Sequence, residues 1–202
     1  EVKDSDGRVI YLKERRPEVN SGFGPEFTVS SNAHVSRDQF HDGGGSALFD
    51  SPGDYVSLPD SADWDFGDGA FTIDGWVKFQ TVNGAITNPT IIDMDGGMTV
   101  YFNGSHLVFE YNGGSTSVTF PWSPAANTWY HIAVARSSDR KLRAFIDGTQ
   151  IGGDTTVTHN LTGGPAGIRI GHRFAGGSYG LDGWMDEFRI TKGVARIIPG
   201  AE

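Results

Sequence analysis

The stretch His172-Arg173-Phe174-Ala175-Gly176-Gly177-Ser178-Tyr179 gathers two aromatic rings, a guanidinium and an imidazole beside consecutive glycines. These are groups that hold a sugar. Aromatic faces stack on its C–H surfaces, a planar guanidinium fork meets hydroxyls or carboxylates, and glycines let a ligand approach the backbone. Arg173, Phe174 and Tyr179 are therefore the leading candidates for ligand contact, with Asn103 and Trp122 as further loop-borne candidates. Trp64 shares that setting, and for Trp64 and Trp122 alike the competing assignment is packing over a sheet edge.

Hydrolysis of a glycosidic bond needs paired carboxylates, about 5–5.5 Å apart in retaining enzymes. Asp93-Met94-Asp95 puts two on one strand face, but Gly96-Gly97 follows at once and marks a strand end and a turn. Asp186 and Glu187 are adjacent, so on a strand they point to opposite faces. The chain has no cysteine nucleophile, no Gly-x-Ser-x-Gly, no His-Glu-x-x-His and no phosphate-cradling loop before a helix. His34, His41, His106, His131, His159 and His172 lack metal-ligand spacing, and His131, set among apolar strand residues, reads as a hydrogen-bonded core histidine. No residue is assigned a catalytic role.

The elements that must position these groups are strands. The 29 glycines and 12% aromatic content suit short strands joined by tight turns. Strand chemistry recurs at 46–49, 55–58, 71–79, 90–94, 98–102, 106–111, 115–120, 129–137, 141–146, 168–172 and 183–191. Phe71, Ile73, Val77 and Phe79 share one face, while Thr72, Asp74, Trp76 and Lys78 share the other. Leu142, Ala144 and Ile146 repeat the pattern, and Asp147-Gly148 supplies the positive φ angles of a tight hairpin. No helical stripe competes, so the expectation is an all-β, antiparallel β-sandwich.

All 202 residues fit one such domain. Residues 1–40 form an atypical opening, where 9–12 reads as a strand and 27–29 and 33–35 as short segments able to close an edge. The start, Glu1-Val2-Lys3, has no signal-peptide pattern and reads as a processed or excised fragment. The net charge of −9 repels phosphate backbones, which argues against nucleic acid. No run approaches the roughly 20 apolar residues of a membrane span, so no membrane insertion is expected. Acids clustered with glycine and serine suit solubility or a hard cation.

Several stretches resemble one family in order and spacing. They are Gly43-Gly44-Gly45-Ser46-Ala47-Leu48-Phe49-Asp50, Gly53-Asp54-Tyr55-Val56-Ser57-Leu58, Phe71-Thr72-Ile73-Asp74-Gly75-Trp76-Val77, and Trp129-Tyr130-His131-Ile132-Ala133-Val134. Further on come Phe145-Ile146-Asp147-Gly148, Ile168-Arg169-Ile170-Gly171 and Gly183-Trp184-Met185-Asp186-Glu187-Phe188-Arg189-Ile190-Thr191-Lys192-Gly193-Val194-Ala195-Arg196. The chain is similar to the laminin G/concanavalin A-like lectin jelly rolls of bacterial and phage surface proteins, although the family's usual opening strand is not recognisable.

The resemblance implies a non-catalytic carbohydrate- or receptor-binding module on a secreted or virion surface. Its partner would be a glycan or cell-surface receptor, met by a possible homo-oligomer or particle-bound display. The alternatives are a structural phage tail or capsid-decoration domain, and a glycanase or polysaccharide lyase on the same fold; the glycanase Glu-x-Asp-x-x-Glu pattern is missing. The resemblance also implies a structural calcium held by Asp186, with the Asp42-Gly43 loop offering oxygens.

Overall fold

The computed structural model describes residues 27–50, 52–82 and 87–196, together with the backbone of two short strands at 2–3 and 9–10. The described strands are β1 (Val2–Lys3), β2 (Val9–Ile10), β3 (Thr28–Ser30), β4 (His34–Ser36), β5 (Ser46–Phe49), β6 (Tyr55–Leu58), β7 (Phe71–Phe79) and β8 (Thr90–Asp93). They continue with β9 (Met98–Phe102), β10 (His106–Tyr111), β11 (Thr116–Pro121), β12 (Trp129–Arg136), β13 (Lys141–Ile146), β14 (Thr149–Thr156), β15 (Ile168–Ile170) and β16 (Gly183–Lys192). A single 3-10 turn, Ala62–Trp64, is the only helical element among the described residues.

These strands form two sheets. The back sheet has nine strands, ordered β14-β13-β12-β7-β16-β1-β2, with β5 also on β16 and β4 beyond it. The front sheet has seven, ordered β11-β10-β9-β8-β15-β6-β3. Pairing is antiparallel throughout except where β1 joins β16. The expected sandwich is present, and the short segments near 28 and 34 do close edges, one in each sheet. Of the strand expected at 9–12, Val9–Ile10 is present and Tyr11 and Leu12 lie outside the described residues.

The core is where alternation placed it. Phe71, Ile73, Val77 and Phe79 of β7 and Leu142, Ala144 and Ile146 of β13 are buried against front-sheet residues such as Val100, Phe102 and Phe109. A void of about 10 Å³, lined in part by Ile73, Ile91, Val134 and Phe188, remains between the sheets and is far too small for a sugar. Arg136 ends the core on β12. It is fully buried, and its guanidinium donates to the carbonyls of Gly67, Gly69 and His159, which ties two loops to the sheet.

Two strands, β1 and β14, escaped the sequence pattern. β14, Thr-Gln-Ile-Gly-Gly-Asp-Thr-Thr, follows the expected turn, where Asp147 and Gly148 have φ of 49° and 75°. It is an edge strand with mostly exposed side chains, so it has no buried face to enforce alternation.

Candidate functional site

In-register pairing draws one polar row across the front sheet. Thr28 lies opposite Ser57, Ser57 opposite Arg169, and Arg169 opposite Asp93. Asp93 lies opposite Thr99, Thr99 opposite Glu110, and Glu110 opposite Ser117. Directly paired residues point to the same face. The alternate residues, including Val56, Ile168, Ile170, Ile92, Val100, Phe109 and Val118, fill the core, so the polar row faces outward.

The connection from β15 to β16 folds over this face. Its base is closed where Leu181 N donates to Gly171 O at 2.7 Å. Its far side is held where Thr87 N and Thr90 N donate to Ser178 O and Tyr179 O, both at 3.1 Å. Phe174 N donates to Asp93 Oδ2 at 2.7 Å, pinning the near side to the row itself. Val108, outward in register opposite Tyr101, is only 1% exposed, so the face is roofed there.

Two guanidinium groups lie between aromatic rings beneath that roof. Arg169 is 4.1 Å from the Tyr55 ring centroid and 4.3 Å from that of Phe174. Arg173 is 4.3 Å from the Tyr101 centroid and 5.3 Å from that of Tyr179. Arg173 Nη1 pairs with Glu110 Oε1 at 3.2 Å, and Tyr101 Oη donates to Glu110 Oε2 at 3.1 Å. Arg169 Nη1 donates to Arg173 O at 3.2 Å, linking the two stacks.

Every oxygen of the row's two acids has a partner. Asp93 accepts from Thr99 Oγ1 on one oxygen and Phe174 N on the other, as Glu110 accepts from Arg173 and Tyr101. Burial raises the Asp93 carboxyl above its ordinary value, against the Phe174 and Thr99 hydrogen bonds and the Arg173 charge. Burial and then the Glu110 charge raise the Tyr101 phenol.

The structure thus brings together Arg173, Phe174 and Tyr179 and sets Asn103 and Trp122 apart. Asn103 Oδ1 accepts from the backbone N–H groups of Ser105 and His106, which makes it the organiser of the β9–β10 turn. Trp122 is 9% exposed and packs on Phe79, Phe102 and Tyr130, as the edge-packing alternative expected. Trp64 is likewise buried and donates to Pro59 O. β8 stops at Asp93, and Asp95 sits in the following turn with φ of 44°, accepting from Ala166 N. The two are not a strand-borne pair.

On the outer face of the back sheet, His131 has Nε2 3.6 Å from Asp74 and lies edge-on to Trp76, while its Nδ1 is buried without a hydrogen-bond partner. It stands opposite Trp76 on the outward side of β12, so it is not the hydrogen-bonded core histidine expected, because the register and not its apolar neighbours sets its face. Asp186, proposed above as a calcium ligand, meets N–H donors instead. Its Oδ2 accepts from His41 N and Asp42 N at 2.9 and 3.0 Å, and its Oδ1 accepts from Glu187 N at 2.9 Å. Asp42 Oδ1 accepts from Gly43 N. Calcium takes six to eight oxygen ligands. The groups converging on Asp186 are amide hydrogens, so this donor set fits a loop anchor and not a calcium cage. Among the described residues no group of three or more acids and histidines is placed to hold a metal ion.

Sequence reasoning did not single out Tyr55, Tyr101, Glu110 or Arg169. Each looks like an ordinary outward strand residue, and only the inter-strand register gathers them.

A laminin G-type family model, described as the concanavalin A-like lectin/glucanases superfamily, matches residues 50–195. No curated protein matches the sequence. Among solved structures, domain 4 of the extracellular arabinanase AbnA from Geobacillus stearothermophilus, in complex with arabinotriose, is similar at 18% identity and TM-score 0.65, with 88% of this chain and 86% of that one covered. The binding domain of Paraclostridial Mosquitocidal Protein 1 is similar at 14% identity and TM-score 0.65, over 94% of this chain and 49% of that one. A botulinum neurotoxin type C structure, described for cell entry dependent on two ganglioside molecules, gives 15% and 0.62, covering 92% of this chain and 48% of that one. The chain thus spans most of the arabinanase domain but about half of each toxin chain. At these identities the likeness is one of fold.

Proposed function

We propose, from the premise that this chain belongs to the concanavalin A-like lectin/glucanases superfamily, that it is a non-catalytic carbohydrate-binding module whose site is the roofed outer face of the front sheet. The observation that carries this reading is the pair of aromatic–guanidinium stacks, Tyr55–Arg169–Phe174 and Tyr101–Arg173–Tyr179, set along a polar row. Rings and a fixed donor fork are the groups that orient a sugar. The arabinotriose on the similar arabinanase domain and the gangliosides named for the similar neurotoxin support the same ligand class.

The non-catalytic part of the reading rests on the acids. Asp93 and Glu110 stand two strands apart, with backbones about 9.5 Å from each other at ordinary strand spacing. An inverting glycosidase could use such a separation, but it needs one carboxylate free to activate water. All four oxygens here accept from the protein. Such a module belongs on an extracellular protein, where the weak affinity of one sugar site gains from multivalent display.

Titration calorimetry of a glycan panel that includes arabinotriose tests the reading. Wild type should bind at least one member, and Tyr179→Ala should weaken it about tenfold, roughly 1.4 kcal/mol, while melting cooperatively. Reducing-end assays on the bound glycan should show no release. Unchanged binding by a folded Tyr179→Ala variant would place the site elsewhere, and turnover would overturn the non-catalytic assignment.

A further inference from the structure

We propose that Arg173 reads an oxyanion, so that the front-sheet site takes a glycan bearing a carboxylate; this rests on that face being the glycan site.

The guanidinium of Arg173 has two hydrogen-bonding edges. Nη1 is committed to Glu110. Nε and Nη2 are buried and have no hydrogen-bond partner in the protein. Those two nitrogens carry the parallel, side-on N–H pair that matches both oxygens of one carboxylate. Arg169 adds a third donor of the same kind, since its Nε is also buried without a partner. Buried donors left unsatisfied are rare in native proteins and invite an explanation.

A neutral sugar is a poor one. A hydroxyl offers the fork a single uncharged oxygen, whereas a carboxylate meets each arm with its own oxygen and balances the charge. The Tyr101 ring on β9 and the pair with Glu110 hold the fork from the sheet side, so little of its own conformational freedom is lost when an anion meets it. Asp93, the other acid of the row, already has both oxygens engaged, by Thr99 Oγ1 and by Phe174 N. The chain's net charge of −9 works against polyanions at long range, which favours a glycan with one acidic residue over a heavily charged polymer. The fork is covered here, and Tyr179 belongs to the turn through Gly176 and Gly177, with φ of 70° and 85°, that has to lift for the ligand to reach it.

The test compares four probes by calorimetry: a glucuronate-terminated trisaccharide, its methyl ester, the neutral parent trisaccharide, and that parent carrying one sulfate. The acid should bind at least tenfold more tightly than the ester, which keeps the shape and removes the charge. Sulfate binding matched to the acid would show that any oxyanion serves, and binding confined to the acid would show a planar carboxylate is required; either supports the inference. Arg173→Lys keeps a cation beside Glu110 but has no side-on fork, and should lose the acid's advantage. Glu110→Gln, which leaves Nε and Nη2 in place, should keep it. Equal binding of acid, ester and neutral parent overturns the inference while leaving the module reading standing. Failure of every probe and of the wider glycan panel overturns both.

Discussion

Asp74 and Asp93 are both buried aspartates on outward strand positions, yet their protonation equilibria move in opposite directions. Burial opposes ionisation of Asp74, but hydrogen bonds from His131 and Arg189 and the Arg189 charge outweigh it and hold the carboxyl below its ordinary value. At Asp93 burial prevails. The linkage signs differ accordingly. The Asp74 contribution is present above the unfolded-state pKa and lost as pH falls through the lowered folded value, while the Asp93 contribution is present at low pH and lost as pH rises through its raised value. Asp74→Asn should therefore cost about 2–3 kcal/mol at neutral pH, where the ion pair is broken and Arg189 is left partly buried. Denaturant titrations should show the gap from wild type constant down to about pH 5 and narrowing below that, through the unfolded-state value and on towards the lowered folded one. A gap independent of pH would contradict the assignment.

Asp186 shows the same dependence on partners. With three backbone N–H groups on its carboxylate, it fastens the 41–42 loop to β16. Asp186→Ala should cost about 2–3 kcal/mol, since hydrogen bonds to charged groups are among the stronger ones. That lowers the melting temperature by about 4–12 °C at about 2–4 °C per kcal/mol for a domain of this size. Wild type should melt equally in EDTA and in millimolar calcium. Chelator sensitivity that disappears in Asp186→Asn would restore the calcium assignment.

At the scale of elements, the register of β16 on β7 shifts between Asp186 and Arg189, with Asp186 opposite Trp76 and Arg189 opposite Asp74. Glu187 and Phe188 therefore share one partner position, that of Gly75, as in a β-bulge. Glu187 has φ of 49°, and the bulge turns Phe188 into the core at 2% exposure. A Cβ on Gly75 would come 2.8 Å from Phe188 Cα, a backbone atom that cannot swing aside. Gly75→Ala should destabilise by about 1–3 kcal/mol, the usual range for overpacking, read as a lower denaturation midpoint. An unchanged midpoint would mean that β16 relaxes freely at the bulge. The strands themselves were legible where a buried face enforces period-two alternation, as in Phe71–Phe79 and Lys141–Ile146. β14 was not, because an exposed edge imposes no pattern, and neither was the bulge, whose cause lies in a partner more than a hundred residues away.

On the whole molecule, site legibility divides along the same line. Arg173, Phe174 and Tyr179 stand within one short loop and announce themselves by composition. Tyr55, Tyr101, Glu110 and Arg169 come from four strands, and only sheet register sets them beside that loop. Trp122 misleads for a related reason: a tryptophan after a strand looks loop-borne until Phe79, Phe102 and Tyr130 close around it. The sandwich also offers a rival surface. The outer face of the back sheet carries Trp76, stacked on His41 with centroids 3.4 Å apart, close to Trp129 and His131. Rings alone do not choose between the faces. The front sheet is distinguished by its buried guanidinium donors and by the loop that roofs them.

Amide chemical-shift mapping by heteronuclear NMR, with a saturating glycan from the binding panel, compares the two faces directly. Perturbed amides should cluster at residues 169–180 and along β8, β9 and β10, with the Arg173 side-chain Nε–H shifting as well. Perturbations centred on His41, Trp76 and Trp129, with the front sheet silent, would contradict a front-sheet site.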